Sequence, residues 1–136
     1  MDLDLTALER AIGQLQAGLA RARADPADEL VRDGVIQRFE YTYEMSHRAL
    51  KRYLDLTEAS PGVLDLSSFQ NLVRLGADRG LLASSWDVWR GYRAARAATS
   101  HTYDAAKAAE IYAIVPEFLV EAKFLLSRLE AGSASL

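Results

Sequence analysis

The 136-residue chain contains no cysteine, which excludes disulfides, thiolate nucleophiles and cysteine-based zinc or iron–sulfur sites. Its two histidines leave little for metal chemistry. Strand-forming aliphatics are scarce: Val and Ile number 11 against 43 for Ala and Leu, a bias toward helix formers that makes the expected fold all-α. No apolar run approaches the roughly 18 residues of a membrane span, and Met1-Asp2-Leu3-Asp4 lacks the basic start of a secretory signal. A cytoplasmic location with no membrane partner is expected. The net charge of −3 argues against a broad, sequence-independent nucleic-acid binder, which needs a basic surface to release counterions. It leaves room for a local basic patch.

What is present reads as helices around one core, an up-and-down bundle of about five. Leu5, Leu8, Ile12, Leu15 and Leu19 recur at steps of three and four, predicting an amphipathic helix over residues 4–24 that ends at Asp25-Pro26. Ile36, Phe39, Tyr43, Ser46, Leu50 and Tyr53 form the seam of a longer helix, from near Asp28 to about Glu58. Ser60-Pro61-Gly62 reads as a turn. A short helix carrying Phe69, Leu72, Val73 and Leu75 follows, with Gly76 and Gly80 as its stop. A fourth helix begins after Ser84 or Ser85, carries Trp86, Trp89, Tyr92 and Arg93, and fails near Thr99. Asp104 caps a last helix that Pro116 is expected to kink or briefly break. Residues 1–131 form a single domain in this reading, and 132–136 a frayed tail.

Chemistry concentrates between Arg90 and Tyr103, where Arg90, Arg93, Arg96 and His101 occur without an acid. On an unbroken α-helix Arg96 and His101 would be rotated by about 500°, or about 140° beyond a full turn, and would point apart. The helix must end between them for them to converge. Ala97-Ala98-Thr99-Ser100 permits that, because Thr and Ser compete for backbone hydrogen bonds. An arginine able to grip a phosphate, beside a histidine titrating near pH about 6.5, supplies parts for metal-independent RNA cleavage. His101 would then be the acid or base and Arg96 the charge stabiliser, with Arg90 and Arg93 as supporting phosphate contacts. On spacing alone, a histidine at a helix–loop boundary is more often a hydrogen-bonded structural residue. Trp86, Trp89 and Tyr92 could stack on bases, but their helical spacing favours core or dimer interface.

Arg96-Ala97-Ala98-Thr99-Ser100-His101-Thr102-Tyr103 resembles the R-x4-H-x-Y signature of HEPN domains, in the subgroup of nucleotidyltransferase substrate-binding proteins or HepT-like toxins. Ile36-Gln37-Arg38-Phe39-Glu40-Tyr41-Thr42-Tyr43-Glu44-Met45 resembles that subgroup's IQRFEFTFEL stretch, and Ile114-Val115-Pro116-Glu117-Phe118-Leu119 its Pro-interrupted last helix. The resemblance implies a homodimer with both motifs facing a shared cleft. It implies a ribonuclease toxin that leaves 2′,3′-cyclic phosphate ends, and a minimal nucleotidyltransferase partner as antitoxin. That partner would silence the toxin by moving AMP from ATP onto the motif tyrosine, here Tyr103; the chain itself would need no cofactor. Ala97 stands where the family usually has a polar residue, and His47 where it commonly has an aromatic one. The first departure favours the alternative of a catalytically silent substrate-binding subunit.

Glu40, Glu44, His47 and Lys51 share a stripe on the second helix. Glu44-x-x-His47 spells half of a di-iron carboxylate site, but no second Glu-x-x-His exists, so no metal is expected. The stripe is either a charge-paired solvated face or the wall of the cleft, with Glu40 or Glu44 orienting Arg96 and His101. Arg38 lies in the same block, as a cleft residue or a surface ion pair.

Overall fold

The computed structural model describes residues 3–58, 65–134 and 136, and the turn read at Ser60-Pro61-Gly62 lies outside them. Among these residues the fold is all-helical: α1 (Thr6–Ala24), α2 (Glu29–Thr57), α3 (Phe69–Asp78), α4 (Trp86–Ala98), a 3-10 turn (Thr99–His101) and α5 (Ala105–Ser133). Short polar side chains start three of the helices by satisfying backbone N–H groups that lack a helical partner. Asp28 accepts from the Val31 amide at 3.1 Å, Ser68 from that of Asn71 at 3.4 Å, and Asp104 from those of Ala106 and Lys107 at 3.0 and 3.3 Å.

The predicted apolar stripes are the buried ones. Leu8, Ile12, Leu15 and Leu19 of α1 face Val35, Ile36, Phe39 and Tyr43 of α2, and α5 covers the same core with Ile111, Val115, Phe118, Leu125 and Leu129. Two polar side chains of α2 enter this interior with their hydroxyls satisfied. Thr42 shares its proton between the Ala11 and Arg38 carbonyls, at 3.2 and 2.6 Å, and Ser46 donates to Thr42 at 2.8 Å. Phe118 is the centre, with Phe39 edge-on at 4.9 Å, Tyr92 at 5.2 Å and Trp89 at 6.0 Å.

Three expectations change. Gly76 does not stop α3; it lies inside the helix, where an added Cβ would meet the Leu50 and Leu82 side chains at 3.2 Å. The stop is Gly80 alone, at φ 75°, whose amide donates to the Ala77 carbonyl while that of Leu81 returns to the Gly76 carbonyl, a glycine-closed helix end. Pro116 does not break α5, which is continuous from Ala105 to Ser133. A proline removes one donor, and Val115 and Phe118, both fully buried on either side of it, hold the helix against the core. Residues 132–133 are helical rather than frayed, because Gly132 admits the Tyr53 hydroxyl into space that any Cβ would fill. Of the two alternatives for the α4 aromatics, core holds for Trp89 and Tyr92, which are 2% and 3% exposed, while Trp86 is partly buried against it.

The rotation of α4 is set by a group that sequence periodicity did not single out. Glu121 of α5 is buried, and its two oxygens accept from the Trp89 indole at 2.8 Å and from the Ala83 amide at 2.9 Å. A buried carboxylate is costly unless its acceptors are filled, and here both are. We expect Glu121→Ala to lower unfolding free energy by about 2–5 kcal/mol, since it strands the buried Trp89 indole N–H and unties the part-buried Ala83 amide. In urea titrations the further loss from Trp89→Phe should be smaller in the Glu121→Ala background than in the wild type.

Candidate functional site

The Arg96 to Tyr103 segment forms the corner between α4 and α5. Arg96 sits in the last turn of α4, and the chain then tightens into the 3-10 turn, so the helix does end between Arg96 and His101. Thr99 closes it: its amide bonds the Arg96 carbonyl, and its hydroxyl is shared between that same carbonyl, at 2.8 Å, and the Glu40 carboxylate. This follows from the tendency of Thr to bond backbone at helix ends. The tighter turn then carries His101 out to solvent, and the Asp104 amide returns to the His101 carbonyl at 3.1 Å.

Arg96 lies between two carboxylates from α2. Its Nε donates to Glu44 at 3.0 Å and its Nη1 is 3.8 Å from Glu40; the three side chains are about one-third exposed, at 33%, 35% and 41%. His101 and Tyr103 make a separate pair, His101 Nδ1 lying 3.3 Å from the Tyr103 hydroxyl, with the rings 5.8 Å apart. Tyr103 is 85% exposed. No hydrogen bond or ion pair among the described residues joins Arg96 to His101. One chain therefore brings Arg96 to Glu40 and Glu44, and His101 to Tyr103, as neighbouring pieces of one corner.

The remaining candidates are distributed differently. Arg93 is exposed with its guanidinium 5.6 Å above the Phe69 ring. Arg90 leans on Asp87 at 3.7 Å in solvent. Arg38 turns away to α1 and donates to the Gln14 carbonyl at 2.7 Å, so it is neither a wall of this corner nor half of an ion pair. Glu44 and His47 do not act together, since Glu44 goes to Arg96 and His47 packs edge-on against Phe69 at 5.0 Å. Among the described residues no group of three acidic, histidine or cysteine side chains could hold a metal ion, and no helix is long and apolar enough to cross a membrane. Thr99 is the site residue that spacing undervalued. Its sequence signal is a hydroxyl three residues after an arginine, but only the neighbouring helix shows that it meets Glu40.

Burial is the main cause that lowers the His47 pKa below the ordinary histidine value; Glu44 opposes it, and Lys51, Arg48 and Arg93 add to it. A group whose folded pKa is depressed contributes stability that is complete above its unfolded pKa and lost as pH falls. We therefore expect the urea midpoint to decline as pH drops below about 6.5, and His47→Leu to flatten that slope between pH about 6.5 and 5.5, above the range where ordinary carboxylates titrate.

Residues 3–131 match the family described as nucleotidyltransferase substrate binding protein like. A Haemophilus influenzae protein described as probable ribonuclease HepT is 38% identical over 96 residues, which are 71% of this chain and 65% of that protein, just under two thirds of its length. A solved Haemophilus influenzae structure, described as revealing the fold of a substrate binding domain of a nucleotidyltransferase, is similar with a TM-score of 0.85 at 30% identity, over 93% of this chain and 99% of that one. A Thermus thermophilus crystal structure is similar with a TM-score of 0.70 at 30% identity, over 90% and 98%.

Proposed function

Because the chain belongs to the nucleotidyltransferase substrate-binding-protein-like family, we propose that it is a metal-independent ribonuclease toxin, silenced when a partner nucleotidyltransferase transfers AMP to Tyr103. The observation that carries this reading is the exposed His101–Tyr103 pair, 3.3 Å apart at the corner just past Arg96. The similarity to a relative described as a probable ribonuclease supports it.

The reaction is attack by a ribose 2′ oxygen on the adjacent phosphorus. The bond to the 5′ oxygen breaks, leaving a 2′,3′-cyclic phosphate and a 5′-hydroxyl. A His101 imidazole takes the 2′ proton, and in a homodimer a second copy of His101 is available to protonate the departing 5′ oxygen. Arg96 offsets the charge that builds on the phosphoryl oxygens. Arg93, exposed three residues earlier, is a further cation along the same helix for substrate phosphate. Silencing needs no refolding. The Tyr103 oxygen attacks the α-phosphorus of ATP held by the partner, pyrophosphate leaves, and the phenol proton is released. The new phosphodiester then sits against His101, adding negative charge and bulk where substrate phosphate must lie.

A second reading is a catalytically silent subunit that presents substrate to its nucleotidyltransferase. Ala97 favours it by removing a polar neighbour of Arg96, and so do the two carboxylates already occupying that arginine.

Purified protein is expected to run as a homodimer by light scattering and to cleave single-stranded RNA in EDTA. Arg96→Ala and His101→Ala should each reduce cleavage by about a hundredfold or more, with circular dichroism unchanged. Cleavage that requires a divalent metal, or survives both substitutions, rejects the mechanism. Incubation with partner and ATP should add AMP mass to Tyr103, whereas Tyr103→Phe should still cut RNA and escape silencing. An unmodified Tyr103 together with no cleavage would leave the binding-subunit reading.

A further inference from the structure

The geometry points to Glu44 and Glu40 as positioning residues that set the guanidinium of Arg96 and the corner carrying His101, an inference that rests on the ribonuclease reading of this site. The two carboxylates are one turn apart on α2, so they reach the same stretch of α4 from one face. An arginine side chain is a planar fork with five N–H groups, and two of its three nitrogens are engaged here. Glu44 takes Nε at 3.0 Å, and Glu40 stands 3.8 Å from Nη1. The hydrogen bond at Nε orients the plane of the group, and the ion-pair contact at Nη1 biases its rotation toward Glu40. Nη2 makes no hydrogen bond among the described residues and is the nitrogen left to present to a substrate phosphate.

Glu40 has a second task. It holds the Thr99 hydroxyl, which also closes on the Arg96 carbonyl at 2.8 Å. The bond from α2 thus pins the residue at which α4 gives way to the 3-10 turn, and with it the place where His101 leaves the helix. Neither task is explained by stability, because partly exposed ion pairs of this kind contribute little to it. Nor is substrate affinity the explanation, since two negative charges beside a phosphate site oppose an anionic ligand. The arrangement gives up affinity for orientation.

Charge and hydrogen bonding can be separated by substitution. Steady-state cleavage of a short RNA oligonucleotide in EDTA is compared for wild type, Glu44→Gln, Glu44→Ala and Thr99→Val. Glu44→Gln keeps an acceptor for Nε but loses the charge, so KM should fall while most of kcat is retained. Glu44→Ala loses both, so KM should fall and kcat should drop about ten- to a hundredfold, the scale of a small misplacement of a reacting group. Thr99→Val leaves the charge unaltered and should lower kcat without lowering KM. A merely structural role would reduce the active fraction in all three variants and would not tighten KM in any. Wild-type kcat in Glu44→Ala, or a KM that does not fall in Glu44→Gln, overturns the inference.

A second readout does not depend on cleavage. The Arg96 Nε–H should exchange slowly in wild type and Glu44→Gln by nitrogen-resolved NMR, and quickly in Glu44→Ala. If wild type does not cut RNA, the ribonuclease reading fails by itself, and equal exchange in all three proteins would overturn the positioning role.

Discussion

The indole of Trp89 is the fastening from which the rest of this molecule's geometry can be followed. Its ring packs in the aromatic cluster around Phe118, and its N–H is taken by the buried Glu121. A nonpolar contact alone would let a helix roll by a few tens of degrees, whereas a directed hydrogen bond into a filled carboxylate does not. With Trp89 held, Arg96 lies seven residues on along the same stripe and is aimed at α2 rather than at solvent. There it finds Glu44. The orientation of the site is thus inherited from the core, two turns away.

The corner itself joins two requirements that oppose each other. A phosphate site, as proposed here, would need cations, and this corner places its arginine between two glutamates. The chain is acidic overall, with a net charge of −3, and its cations near the site are individually committed: Arg96 to α2, Arg93 over Phe69, Arg90 beside Asp87. Under the ribonuclease reading proposed above, long-range attraction of RNA would therefore be weak, and selectivity would come from how a few donors are aimed. On the same proposed reading, one AMP on Tyr103 would suffice for silencing, because a single added phosphodiester would have few cations to displace.

His101 and Tyr103 owe their exposure to the absence of a long linker. The segment from Thr99 to Asp104 ends one helix, makes a 3-10 turn and caps the next within a few residues. Such a tight connection leaves no loop to fold back over its own side chains. Tyr103 differs in this from Tyr43 and Tyr92, whose hydroxyls are pushed up to about 12 by burial and stay protonated in the core. Among the described residues, only the corner tyrosine is both highly exposed and within hydrogen-bond distance of an imidazole.

Helix identity was legible in the chain because it depends on period, and period is a local property. The stripes of α1 and α2, the Asp28 and Asp104 caps, and the end of α4 near Thr99 all sit where spacing and cap chemistry put them. The resemblance in Arg96, His101 and Tyr103 was legible for the same reason, being a short contiguous motif. What could not be read were relations between helices. Gly76 looks like a stop until Leu50 and Leu82 are seen against it, Gly132 looks like a tail until Tyr53 is, and Arg38 looks like a companion of Glu40 until α1 claims it. Glu121 carries no local sign of its role, since a carboxylate in a helix is ordinarily solvated; its partners, Trp89 and the Ala83 amide, are more than 30 residues away. Which of two glutamates one turn apart holds the guanidinium, and which the hydroxyl that ends the helix, depends on the height of α4 against α2. That height is set by side-chain packing across the interface, a quantity no single helix contains.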